Sequence, residues 1–271
     1  MLGIGFEGEA KELESRGGRT TRLRVESGEL FASATAWLGG TGTCPEILGL
    51  LSGSGAFGRL ALARARRSGE VVLVGPESNG ATAEAIATMR EEGATSILVD
   101  GAFGRLTQVA ALPGARFFAA MIVDRAGLAT AVASMRRLAT LAALPLADSR
   151  SSAASMKDVA SIRPFPAASD RTDEVCHIDG ALTAGRVASL SERVELVTVE
   201  DFTKIFLEEA ALRALRARRR LCVRRSVEFG GFVVALRGLG AREFLEATEG
   251  AVDRGLLFPS PYEEGGGFDA A

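Results

Sequence analysis

Two short runs of the chain are apolar at consecutive positions: Val71, Val72, Leu73 and Val74, ending in Gly75, and Ile97, Leu98 and Val99, ending in Asp100 and Gly101. A run that does not alternate reads as a strand covered on both faces. Between them, residues 80–92 place Ala83, Ile86, Ala87 and Arg90 on one side at helical spacing, with Ser78 or Asn79 as the start signal and Gly93 as the stop. The pattern predicts a strand–helix–strand unit with parallel strands over residues 68–105. Ligands of an open parallel sheet sit beyond the carboxyl ends of its strands, which makes Gly75, Ser78, Asn79, Asp100, Gly101 and Arg105 the candidate ligand-binding residues. The first amides of the helix are open to an anion, and a plain side-chain cap by Ser78 or Asn79 is the competing reading.

The same patterning predicts strands over residues 1–6, 21–25, 30–35, 60–66, 117–124, 194–199 and 232–236. The second and third are joined by a hairpin-like link at 26–29, and those at 117–124 and 194–199 are buried. Residues 44–51, with Pro45 near the first position, predict a short helix. Leu128, Val132, Met135, Leu138 and Ala142 recur at helical spacing up to Pro145 and predict a crossover helix, Met135 filling its core. After Glu200 and Asp201, which can cap a helix, Phe202, Ile205, Leu212 and Leu215 share a face. A last helix is expected at 243–252.

Composition narrows the class. Apolar residues make up 47% of the 271 and charged residues 24%, with a net charge of −2. This is ordinary for an α/β protein and gives no general attraction to nucleic acid or anionic lipid. No apolar run reaches the length of a membrane span, and no leader opens the chain, so a cytoplasmic protein with reduced thiols is expected. Cys44, Cys176 and Cys222 are far apart and His177 is the one histidine, so no metal site is expected. Cys176 and His177 suggest a nucleophile and its base, but neighbours in sequence point apart. Arg16-Gly17-Gly18-Arg19 is a turn and no phosphate-binding loop, because the lysine and the first glycine of that motif are missing.

Residues 148–175, rich in Ser, Ala, Asp and Arg, read as a loop or linker, and 259–271 as a loose tail. The expected domains are 1–147, the first part of an α/β core, and 176–258, its second part. Arg213, Arg216, Arg218, Arg219, Arg220, Arg224 and Arg225 crowd one helix end and the next strand, as a solvated end or as a patch for a phosphate or an acidic partner. Arg218, Arg219 and Arg220 are the partner-docking candidates.

Several blocks resemble the small subunit of the reactivase for adenosylcobalamin-dependent lysine 5,6-aminomutase. They are Gly5-Phe6-Glu7-Gly8-Glu9, residues 71–76 with their Gly75-Pro76 end, residues 97–105 with Asp100-Gly101-Ala102 and Arg105, residues 200–206, and more weakly residues 258–262. Phe6-Glu7 stands where the family has an Asp-containing form of the first block. The resemblance implies an accessory, chaperone-like subunit that helps restore a damaged aminomutase together with an ATPase partner. ATP and adenosylcobalamin are implied through those partners, with no cofactor bound by this chain. The alternative is a small-molecule enzyme that binds a phosphorylated or carboxylated metabolite near Gly75 and Asp100. The expected fold is α/β, with a mainly parallel sheet, helices on both faces and a β-rich amino-terminal portion, in a P-loop-like or Rossmann-like layering without a P-loop.

Overall fold

The computed structural model describes residues 1–3, 22–39, 42–55, 58–101, 112, 114–147, 154–156 and 174–261. The described residues are mixed α and β, with several sheets and five α-helices among them, and the chain divides into two compact units, Met1–Leu112 and Pro113–Ala271. The division falls ahead of the 148–175 segment that composition singles out.

The first unit holds β1 (Leu2–Gly3), β2 (Arg22–Val25), β3 (Leu30–Ala34), β4 (Glu46–Gly55), β5 (Gly58–Arg64), β6 (Gly69–Val72), α1 (Asn79–Glu91) and β7 (Val99–Asp100). Its five-stranded sheet runs β4-β5-β3-β1-β7, and among the described residues β2 pairs with β6 alone. Arg22 lies opposite Val72 and Leu30 opposite Arg64, so β2–β6 and β3–β5 keep one antiparallel register. They form one ribbon, bent where residues 26–29 cross 65–68. Gly28 N donates to Ala65 O at 2.7 Å, Ala65 N to Glu29 O at 2.9 Å, and Ser27 Oγ to Arg66 O at 3.1 Å across the bend. One side of the ribbon buries Val25, Phe31, Ala61, Ala63 and Val71. The other buries Ala32, Leu60 and Leu62 with Leu2, Val74 and, from α1, Ala85 and Met89.

Four expectations change here. Links 26–29 and 65–68 turn a ribbon corner, so β2 and β3 are consecutive pieces of one ribbon edge and do not pair as a hairpin. β6 and β7 fall in different sheets, and β6 pairs antiparallel, so residues 68–105 form no parallel strand–helix–strand unit. Residues 46–55 are strand, in place of the helix expected at 44–51: Gly49 weakens a helix by about 1 kcal/mol, and β5 offers a ladder. The helix α1 buries Thr82, Ala85 and Met89, while Ala83 and Ala87 face solvent. Burying the long Met89 side chain removes more apolar surface from water than burying two alanines.

The second unit contains β8 (Arg116–Asp124), α2 (Leu128–Ala142), β9 (Ala154–Met156), β10 (Glu174–Ile178), β11 (Leu182–Thr183), α3 (Ala184–Ala188), β12 (Val194–Val199), β13 (Ile205–Phe206), α4 (Glu209–Arg218), β14 (Arg220–Val223), β15 (Glu228–Arg237), α5 (Ala241–Thr248) and β16 (Leu257–Pro259). Every strand pair among its described residues is parallel: β14-β12-β10-β9, β16-β15-β8 and β11-β13. Both larger sheets and the helices share one core, to which α2 gives Met135, Leu138 and Leu141 and α4 gives Leu212 and Leu215.

The crossover helix over 128–142 forms as its periodicity predicts. The helix expected from Phe202 is instead interrupted: a 3-10 turn, Phe202–Lys204, leads into β13, which pairs with β11 before α4 begins. Residues 154–156 form a strand inside the expected linker, and Leu257–Pro259 a strand at the expected tail. Strand β8 is covered on one face only, with Ala119 and Val123 buried and Phe118 and Ile122 exposed. The 5–9 block, the 16–19 turn, Arg105, most of 148–175 and residues 262–271 lie outside the described residues.

Candidate functional site

Because β9, β10, β12 and β14 are parallel, their carboxyl ends leave the sheet at one edge. The apolar runs stop there and charged residues follow at once: Asp179-Gly180 after β10, Glu200-Asp201 after β12, Arg224-Arg225 after β14. Gly180 takes φ +82°, which lets the chain turn sharply off β10. Arg186 Nη1 donates to the Asp179 carbonyl at 2.6 Å and ties the start of α3 to that turn. The amides of Arg224 and Arg225 donate to the Glu200 carbonyl at 3.1 and 2.8 Å, holding the two arginines beside the end of β12.

His177 stands one residue before the end of β10, in register with Thr198 of β12, which is in register with Cys222 of β14. The ring is 5% exposed. Its Nδ1 lies 3.1 Å from Thr198 Oγ1, and that oxygen lies 3.5 Å from the Cys176 carbonyl. Its Nε2 lies 3.1 Å from Arg224 Nη1 and 3.0 Å from Asp179 Oδ1. A guanidinium only donates, so the Arg224 contact uses Nε2 as acceptor. The ring proton then sits on Nδ1 and is given to Thr198, whose hydroxyl is given to the Cys176 carbonyl. A carboxylate only accepts, so Asp179 engages the protonated ring. One nitrogen thus stands between a cation and an anion that ask for opposite protonation states.

Beside it, Asp201 is fully buried. Its Oδ1 accepts from Thr203 N at 3.0 Å and from Thr203 Oγ1 at 2.5 Å, capping the 3-10 turn. Its Oδ2 accepts from Arg225 Nη2 at 2.8 Å, and the same guanidinium lies 3.4 Å from Glu200. Arg225 is therefore neutralised. Arg224 is exposed, bonds the imidazole and has no ion pair among the described residues.

Cys176 and His177 do not form a reactive pair. Adjacent strand residues face opposite ways, and Cys176 joins the apolar core, where burial pushes its thiol up; Arg219 pulls it weakly back. Among the described residues no group of three His, Cys, Asp or Glu is placed to hold a metal ion, and no helix is long and apolar enough to cross a membrane.

No hydrogen bond or ion pair among the described residues joins Gly75, Ser78 or Asn79 to Asp100 or Gly101. Ser78 caps α1, its Oγ accepting from Ala81 N at 3.2 Å, and Asn79 is the exposed first residue of that helix. Gly75 is buried. Asp100 and Gly101 are exposed at an edge strand, and no hydrogen bond or ion pair among the described residues joins Asp100 to residues 75–79. Arg218 and Arg220 are exposed. Arg219 is half-buried: Nη2 donates to Ser191 O at 3.1 Å, and Nη1 is buried with no hydrogen-bond partner among the described residues.

The edge that sequence reasoning passed over did leave a trace, since three apolar runs are each followed directly by paired charged residues or Asp-Gly. No family model, no curated protein and no solved structure matches the chain.

Proposed function

We propose that the second unit binds a small carboxylated or phosphorylated molecule at the carboxyl edge of its four-stranded parallel sheet. The reading takes that unit as Rossmann-like layering without a phosphate-binding loop, and moves the expected strand-end site from Gly75 and Asp100 to Arg224 and His177. One observation carries it: Arg224 is an exposed cation, fixed through its backbone at the strand ends, whose side chain is held by a ring nitrogen and, among the described residues, by no carboxylate. A guanidinium so presented can take two oxygens of an anion in parallel. His177, behind it, can supply or hold a proton as the anion enters. Titration of the full chain with inorganic phosphate and with succinate, followed by calorimetry, tests this. Saturable binding that Arg224→Ala abolishes and Arg218→Ala leaves unchanged supports the site. No binding of either anion, or binding that survives Arg224→Ala, removes it.

The accessory-subunit reading is the second one, and one observation favours it. The block at 200–206, among those that resemble the reactivase subunit, supplies the Asp201 cap that holds Arg225 at the same edge. In that reading an aminomutase and an ATPase subunit are the partners, and the exposed Arg218 and Arg220 offer a docking surface. An acidic partner would then be recruited faster at low salt. Co-purification of an aminomutase or ATPase subunit from native lysate, lost in Arg218→Glu/Arg220→Glu, is the expected result. Unchanged capture by that variant removes the docking surface, and turnover of a metabolite by the isolated chain removes the accessory role.

A further inference from the structure

The sheet β16-β15-β8 is parallel, yet only its inner face is covered: Ala119, Val123, Phe232, Val234 and Leu257 enter the core, while Phe118 is 46% exposed and Ile122 60%. Parallel sheets are ordinarily covered on both faces. Strand β8 also ends the sheet. It runs nine residues, from Arg116 to Asp124, and β15 is its one strand neighbour among the described residues. Edge strands that stay single are usually short, or broken by lysine, proline or an inward charge. Between its two ends β8 carries only Phe117, Phe118, Ala119, Ala120, Met121, Ile122 and Val123.

We propose that β8 is a dimer edge, and that its occupant is β8 of a second copy of this chain, antiparallel about a two-fold axis at Ala120. The strand is self-complementary in that register. Phe118 falls opposite Ile122 of the partner subunit, an aromatic against a β-branched side chain on the exposed face, and the pair occurs twice. Arg116 falls opposite Asp124 of the partner subunit, also twice, so opposite charges meet at both ends. Arg116 already pairs with Glu228, and Asp124 Oδ1 accepts from Gly127 N at 2.6 Å, so both charged groups are held at the strand's ends. A two-fold axis makes the contact closed: one partner satisfies both edges, and no open fibre grows from them.

Sedimentation of the full chain and a cysteine pair of variants test this, in a Cys44→Ser background because Cys44 is exposed. The expected result is a dimer at micromolar concentration. Ala120→Cys lies opposite its own copy and gives a disulfide-linked dimer on mild oxidation, whereas Ile122→Cys lies opposite Phe118 and gives none. Arg116→Glu sets like charges at both ends and weakens the dimer about tenfold or more, less so at high salt. Circular dichroism confirms that each variant is folded. A monomeric chain overturns the proposal, and so does a dimer in which Ala120→Cys does not cross-link or Ile122→Cys does.

Discussion

Asp201 shows how much a single side chain at the strand ends is asked to do. It is fully buried and satisfied by three donors, two from Thr203 and one from Arg225. Asp201→Ala leaves the Thr203 amide buried without its acceptor, at a cost of about 1–3 kcal/mol. Arg225 is 43% exposed, so its loss is softened by solvent; Arg225→Ala is expected to cost less than Asp201→Ala. Urea unfolding of the two variants checks the order, and equal or reversed costs would show that the cap is not what Asp201 holds. Cys176 allows a second check. Its thiol is pushed up by burial and lies in the core, as Cys222 lies buried, while Cys44 is exposed. In the native protein a thiol reagent should therefore label one cysteine quickly, with the other two labelled only on unfolding. Cap residues are legible in a sequence because they act within three residues of themselves: of the pairs Ser78 or Asn79 and Glu200 or Asp201, Ser78 and Asp201 are the caps. His177 was not legible as part of a site: its partners Thr198 and Arg224 lie 21 and 47 residues away, and only the sheet register brings them to it.

At the scale of elements, β15 and its neighbours show why strands were easier to find than to pair. The apolar run of Phe232 to Leu236 marks a strand by itself, but its bulge near Gly231 is set by what crosses it. Gly231 has φ +130°, and a Cβ there would stand 2.5 Å from the Leu256 carbonyl oxygen and 2.7 Å from the Phe258 ring. Neither relief is cheap, because the nearest atom is backbone and the dihedral itself disfavours a side chain. Gly231→Ala should cost roughly 2 kcal/mol or more. At Gly230 a Cβ would meet the Phe118 ring at 2.4 Å, but that ring is half-exposed and can swing out. Gly230→Ala is expected to cost less, and thermal unfolding of the pair, read at matched conditions, would reject this account if Gly230→Ala were the worse variant. The ribbon of the first unit teaches the same lesson from the other side. Its strands were visible as apolar runs, yet the bend at 26–29 looks like a hairpin until residues 65–68 are set against it. Residues 44–51 read as a helix because Ile47, Leu48, Leu50 and Leu51 suit a helix and a strand about equally in so short a span. What decided it was a partner strand that no local window contains.

For the whole molecule, the division at Leu112 and Pro113 has a consequence for folding. Among the described residues, two of three core clusters lie within the first unit and the third within the second. The third spans both large parallel sheets and buries side chains from α2, α4 and α5, so it does not need the antiparallel ribbon to close it. Composition had placed the boundary near 148–175, because a change in residue type is visible locally while the allegiance of a strand to a core is not. Residues 116–142 look like a continuation of the strands before them; the nine-pair ladder of β8 with β15 assigns them to the chain's second half. The expected outcome is that residues 113–271, produced alone, unfold in one cooperative transition and keep the near-ultraviolet signal of the packed rings of Phe117 and Phe229, 5.7 Å apart, and of Phe229 and Phe232, 4.9 Å apart. A fragment cut at residue 148 instead loses β8 and α2, and with them Met135, Leu138 and Leu141 from the core, so it should be molten or insoluble. If the 148–271 fragment folded as cooperatively as 113–271, the core would not depend on β8 and α2, and the boundary drawn from composition would be the better one.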